Sequence, residues 1–145
     1  MEALELLTLT NANFTPLFTD TCAEIYHISE VNVVCMRVRG LTKNQCYQAN
    51  SERALAYLVA LKSTKLLIDL RELMMMDTHD RCWTEDIWQT EIAETGLKKM
   101  AIIMPESLFA ILSVNKIVEN IKKNTRWETE VFTEEKQVSH WLIKI

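Results

Sequence analysis

KLLIDLRELMMMDTHD, residues 65–80, decides how this chain folds. Its first six residues are almost wholly apolar and bounded by polar neighbours, the pattern of a strand buried on both faces and therefore of a parallel strand inside a sheet. A second run of this kind, KKMAIIM at 98–104, is stopped by Pro105, and WETEVF at 127–132 alternates as a strand nearer an edge does. Helical stretches lie between and after these strands. Thr84 can cap one, with Glu85 and Asp86 in its first turn and Gly96 just past its end. Ser113 can cap another that runs through Lys123 and carries Val114, Ile117, Val118 and Ile121. Thr133 opens a last one with Val138, Trp141 and Leu142 on one side. Residues 71–83 are aperiodic and read as a loop.

Upstream, AEIYHI and VNVVCMRVR are separated by Ser29-Glu30 and read as a β-hairpin. Val34, Met36 and Val38 alternate with Cys35, Arg37 and Arg39, so one face is expected to be wetter than the other. Gly40 closes the hairpin, and Thr42 with Gln45 forms a capping box for a helix that includes Ala54, Leu58 and Leu61 and runs to about Lys62. Residues 1–20, rich in turn formers, read as an N-terminal extension or edge element before a single domain at 21–145. The order β-β-α-β-α-β-α-β-α predicts an α/β fold: a mixed, mainly parallel sheet with an opening hairpin and right-handed crossovers through alternating helices.

The 145 residues, 48% apolar and 25% charged, suit one globular domain with its own core. A net charge of −4 and a pI of about 5.4 give no positive field for a polyphosphate chain, which argues against a nucleic-acid partner. The longest apolar run, Ala54 to Leu61, is far shorter than the ~20 residues a membrane span needs. The amino terminus has two Glu and no basic residue, unlike a secretory leader, so a cytoplasmic protein is expected. The four cysteines, Cys22, Cys35, Cys46 and Cys82, form no CxxC pair and are expected to be reduced thiols, mostly in the core.

LLIDLRELMMMDTHD at 66–80 resembles the signature of STAS domains, the family typified by the anti-sigma-factor antagonist SpoIIAA. In that signature an apolar strand ends in a polar residue and a hydrophobic loop leads to Asp-Ser-Ser-Gly. The register fits from Leu66 to Asp77. Thr78 then stands at the position of the phosphorylatable serine, while His79 and Asp80 replace the following Ser and Gly. FTEEKQVSHWL at 132–142 also resembles the last strand-to-helix junction of stand-alone bacterial STAS-like proteins. The resemblance implies a SpoIIAA-like fold and a non-enzymatic signalling or protein-interaction module. Its alternative is a small-molecule or lipid carrier, since such folds are akin to SEC14-type domains.

The resemblance places a partner-binding or regulatory loop at Met74, Met75, Met76, Asp77, Thr78 and His79, with Trp83 and Trp88 beyond it. Methionine repacks easily and tryptophan anchors interfaces, so these residues can present an adaptable apolar surface, with core packing as the plainer explanation. Such a surface needs cover, which favours a homodimer or a protein partner. With Thr84 as the cap, Thr78 would lie on the loop, exposed but away from the helix dipole. Asp77 and Asp80 would repel a phosphate there, so no conventional phosphoacceptor is expected. Asp77, His79, Asp80 and Cys82 are close in sequence, yet an aperiodic polar loop accounts for them without a metal or an activated thiol. Neither a GxGxxG fingerprint, a P-loop nor a GxSxG elbow occurs, so no cofactor and no catalytic residue is expected. Arg37, Arg39, Arg71, Lys98 and Lys99 read as an ordinary solvated face.

Overall fold

The computed structural model describes residues 14–42 and 45–143. Most of the expected N-terminal extension, residues 1–13, lies outside the described residues. Six strands form one sheet: β1 (Phe14–Thr19), β2 (Ala23–Ile28), β3 (Val33–Val38), β5 (Lys65–Asp69), β7 (Lys99–Ile103) and β8 (Glu128–Phe132), side by side in that order. β1–β2 and β2–β3 are antiparallel, while β3–β5, β5–β7 and β7–β8 are parallel. The mixed, mainly parallel sheet and its opening hairpin are thus as the sequence predicts, with β5 and β7 inside the sheet and β8 at an edge. A second, two-stranded sheet pairs β4 (Gly40–Leu41) with β6 (Leu73–Met75).

Strand alternation sorts the core into two layers. Ile25, Met36, Leu66, Ile68, Met100 and Ile102 face one side and are covered by three helices. These are α1 (Cys46–Ala60), α2, and α3 (Leu108–Asn124). Helix α2 is α-helical at Thr78–Trp83, π-helical at Thr84–Trp88 and α-helical again at Gln89–Ala93. Tyr26, Cys35, Leu67, Ala101 and Ile103 face the other side, where α4 (Glu135–Ile143) supplies Val138 and Leu142. The expected wet face of the hairpin is therefore corrected: Cys35 is fully buried because the second layer covers it, and on β3 only Arg37, near the end of the strand, reaches water.

Three helix starts differ from the sequence reading. α2 begins six residues before Thr84: Asp77 is its cap, accepting from Asp80 N at 2.8 Å. Thr84 lies inside the helix. It donates to Asp80 O at 2.8 Å, so the Tyr47 hydroxyl, 2.7 Å away, donates to Thr84 in turn. Burial pushes the Tyr47 phenol up to about 12, which keeps that proton in place. Trp88 Nε1 donates to Ser51 O at 2.9 Å, fastening the π segment to α1. α3 begins at Leu108 after Ser107, not at Ser113, so LFAIL at 108–112 is its first turn and a half. Thr42 does not cap α1, which starts at Cys46 after Gln45 in the left-handed region (φ 63°). The Thr42 hydroxyl instead accepts from Asp77 N at 3.1 Å, serving α2.

The cysteine expectation is also corrected. Cys22 and Cys46 form a disulfide across a sequence separation of 24, while Cys35 is a buried thiol and Cys82 an exposed one. The hairpin brings the start of β2 beside the end of β3, and the chain enters α1 close by. Asp20 organises this corner, accepting from Cys22 N, Ala23 N and Asn50 Nδ2 at 2.8–3.2 Å.

Candidate functional site

Segment 69–78 leaves the carboxyl end of β5, the edge at which open α/β sheets place their ligands and partners. Its path is fixed by Asp69, the polar residue that ends the strand. The side chain is buried and accepts from Arg71 Nε at 3.0 Å, Arg71 Nη2 at 2.7 Å and Arg37 Nε at 3.2 Å. Arg71 N also donates to Asp69 Oδ1 at 3.1 Å, and Arg71 Nη2 lies 3.5 Å from Glu135 of α4. Burial alone would raise the Asp69 pKa; the Arg71 hydrogen bonds and the two guanidinium charges outweigh it and hold the carboxyl below its ordinary value. Arg37 and Arg71 are therefore not part of a plain solvated face. They are half-buried partners of a buried carboxylate.

Past this clamp, residues 72–77 are not an irregular loop. Gly40 N donates to Glu72 O at 2.9 Å and Thr42 N to Met75 O at 3.1 Å, which zips the segment to β4. Gly40 sits at φ +66°, a conformation that strains any side chain, and this turns the chain from β3 into β4. On the other flank, Ser107 Oγ donates to Met74 O at 2.8 Å and ties β6 to the start of α3. Met74 and Met75 thus stand on a backbone held from both sides.

The structure divides the residues singled out in the sequence. Met76, Trp83 and Trp88 are core, packed beneath α2. Met74 and Met75 are exposed and are joined by residues that the sequence reading did not single out. Leu41 pairs with Met75, and Leu108, Phe109 and Leu112 project from the first turns of α3; together with the two methionines they are 45–69% exposed. Six large apolar side chains on three tied elements exceed the scattered exposure normal for a surface. The available signal was SLFAIL at 107–112, an apolar run just after Pro105 that is too apolar for a loop.

Asp77, Thr78 and His79 are exposed at the amino end of α2, beside the patch. Thr78 is exposed as expected, but it is the first residue of the helix rather than a loop residue remote from the dipole. Asp77, His79 and Asp80 bring their ligating atoms within 4.8 Å of one another. Their carboxylates already have structural duties: Asp77 Oδ1 takes Asp80 N, and Asp80 Oδ1 takes Gln48 Nε2 at 3.0 Å. Beneath this region, between Met76, Trp88 and the sheet, the interior leaves a cavity of about 30 Å³, room for one water at most.

This architecture is a SpoIIAA-like fold. Solved structures of low sequence identity carry it, among them the following two. One is an uncharacterised DUF3478-family protein with a SpoIIAA-like fold from Shewanella loihica PV-4, at TM-score 0.59 and 18% identity, matching 87% of this chain and 98% of that one. The other is apo-SiaC from Pseudomonas aeruginosa, at TM-score 0.51 and 12% identity, matching 81% of this chain and 98% of that one. No protein-family model matches the sequence, and no curated protein is significantly similar to it. Among the described residues, no helix is long and apolar enough to cross a membrane.

Proposed function

We propose that this chain is a non-enzymatic protein-interaction module of the signalling type and that its partner docks on the apolar patch formed by β4, β6 and the first turns of α3. The observation that carries the reading is the joint exposure of Leu41, Met74, Met75, Leu108, Phe109 and Leu112 on backbone that hydrogen bonds hold in place. Methionine and phenylalanine adapt to, and anchor in, a protein surface. The resemblance of 66–80 to the STAS signature points to the same edge of the fold. Thr78 stands beside the patch, but Asp77 already supplies the negative charge that the amino end of α2 favours, so a phosphate there would meet a carboxylate rather than free N–H groups.

The test is affinity capture with the wild-type chain and with Phe109→Asp and Met74→Asp, each first shown to melt like wild type. A partner retained by the wild type and lost by both variants supports the proposal; equal retention by all three removes it. A second copy of the chain is the other occupant considered. Trp83 and Trp88 are covered internally, so self-association would rest on the patch alone and would show as a concentration-dependent dimer in sedimentation that Phe109→Asp abolishes. The alternative, a small-molecule or lipid carrier, would need a site away from the Met-rich segment, where the cavity of about 30 Å³ is too small for an acyl chain.

A further inference from the structure

Segment 39–46, which carries β4, is pinned at both ends to one residue. At its start Arg39 N donates to Cys22 O at 2.9 Å, and at its end Cys46 is joined to Cys22 through sulfur. Leu41 of the apolar patch lies between the two pins, paired with Met75. The surroundings of the bridge suit a reduced pair as well as an oxidised one. Cys22 and Cys46 are half-buried and adjoin exposed Thr21 and Gln45, so a small thiol can reach them. Cys46 is the first residue of the 15-residue α1, where partial positive charge favours a thiolate. Asn50 Nδ2 lies 3.8 Å from Cys46 Sγ, and Asp20 Oδ2 lies 3.5 Å from the same sulfur. A bridged sulfur has no proton to give that carboxylate, whereas a reduced one has. Burial alone would raise the Asp20 pKa, but hydrogen bonds from Asn50 and from the amides of Cys22 and Ala23 outweigh it, so the carboxylate stays ionised and able to accept.

We infer that Cys22–Cys46 is a reversible thiol–disulfide switch, poised by Asp20, that sets how rigidly β4 and β6 are held. The reductant is a thiol. Its thiolate attacks Cys22 Sγ, because the Asp20 carboxylate beside Cys46 repels an anionic approach to the other sulfur. The S–S bond breaks and its electron pair leaves on Cys46, which takes a proton from water and donates it to Asp20 Oδ2. A second thiol attacks the mixed disulfide and releases Cys22, which is protonated in turn. The protein gains two electrons and two protons, and two thiols become one disulfide. Opening removes one of the two pins on segment 39–46, while Asp20 and Asn50 keep the corner folded. The consequence for docking, a patch loosened on its β4–β6 side, rests on the partner reading above; the rigidity of β4 can be measured without a partner, so the two readings fail separately.

The test uses the full chain in mixtures of reduced and oxidised glutathione without denaturant, with the open fraction read by alkylation and intact mass. Both forms are expected to coexist within the titration. Asp20→Asn, which removes the acceptor of the Cys46 proton, should move the equilibrium toward the bridge by roughly 2- to 10-fold. Nitrogen-15 relaxation then reads the consequence: on reduction the backbone order parameters of Leu41 and Met75 should fall from about 0.85 toward 0.6, while those of β5 and β7 stay at the rigid value. Cys22→Ser/Cys46→Ser should show the same loosening with no reductant present, which separates the effect from modification of exposed Cys82. A bridge that reduced glutathione cannot open in the folded protein is a permanent staple and overturns the inference. Unchanged order at Leu41 and Met75 in the open forms, loss of order in β5 and β7 as well, or an equilibrium that Asp20→Asn does not move, overturns it too.

Discussion

Opening the Cys22–Cys46 bridge should cost more stability than any other single chemical change that leaves the folded contacts intact. The bridge closes a loop across a sequence separation of 24. In the chain-entropy model, a loop of that length restricts the unfolded state by about 3.5 kcal/mol at 25 °C. For 145 residues the unfolding entropy near the midpoint is about 0.3 kcal/mol per kelvin, so reduction should lower Tm by roughly 10 °C. The native corner should survive, since Asp20 keeps its hydrogen bonds to Cys22 N, Ala23 N and Asn50 without the sulfur link. Calorimetry with and without reductant, and on a Cys22→Ser/Cys46→Ser double variant, measures the shift. Thiol titration in denaturant supplies the independent check: two thiols before reduction and four after. In the native protein, exposed Cys82 should react first, because burial pushes the Cys35 thiol up and keeps it protonated. Four titrating thiols in protein never exposed to reductant, or a Tm change under about 2 °C, would refute the reasoning.

Two further outcomes follow from the core and from the clamp at the end of β5. Ile102→Ala, on an internal strand at 4% exposure, should destabilise by about 2–5 kcal/mol in denaturant melts, because the packed layer under α3 cannot close over the space; a wild-type midpoint would contradict that packing. Asp69→Asn should cost about 2–3 kcal/mol at neutral pH, less than for a fully enclosed pair because Arg37 and Arg71 keep partial access to water. Since the folded-state pKa of Asp69 is depressed, its stabilisation is complete above the unfolded value of about 3.9 and is lost as pH falls through the folded value. Urea melts between neutral pH and pH 3 should therefore show the gap between wild type and variant narrowing only at the acid end; a gap that does not depend on pH would argue against the ionised clamp.

The short apolar runs at 65–70 and 98–104, bounded by polar residues and, in the second, by Pro105, have the pattern of strands buried on both faces. The helical periodicity between them then leaves parallel crossovers as the available topology, and the fold was legible at that level. The helix starts were not. Thr84 and Ser113 are good caps by residue type, yet a cap is used only where N–H groups are left unpaired, and that depends on where packing starts the helix. Seating Trp83 and Trp88 beneath α2 and against α1 draws the helix back to Asp77, and packing Ala110 against the core draws α3 back to Leu108.

The same limit governs the candidate site. Met74, Met75 and Met76 are identical in composition, and only the pairing of β6 with β4 and the tie to Ser107 decide that the first two face outward and the third inward. Leu41, Leu108 and Phe109 join them from distant parts of the chain, as Cys22 meets Cys46. Local sequence determined which segments are strands and helices, because periodicity and propensity act over a few residues. The patch and the disulfide were decided by tertiary structure alone, because each depends on contacts between residues that only the packed sheet brings together.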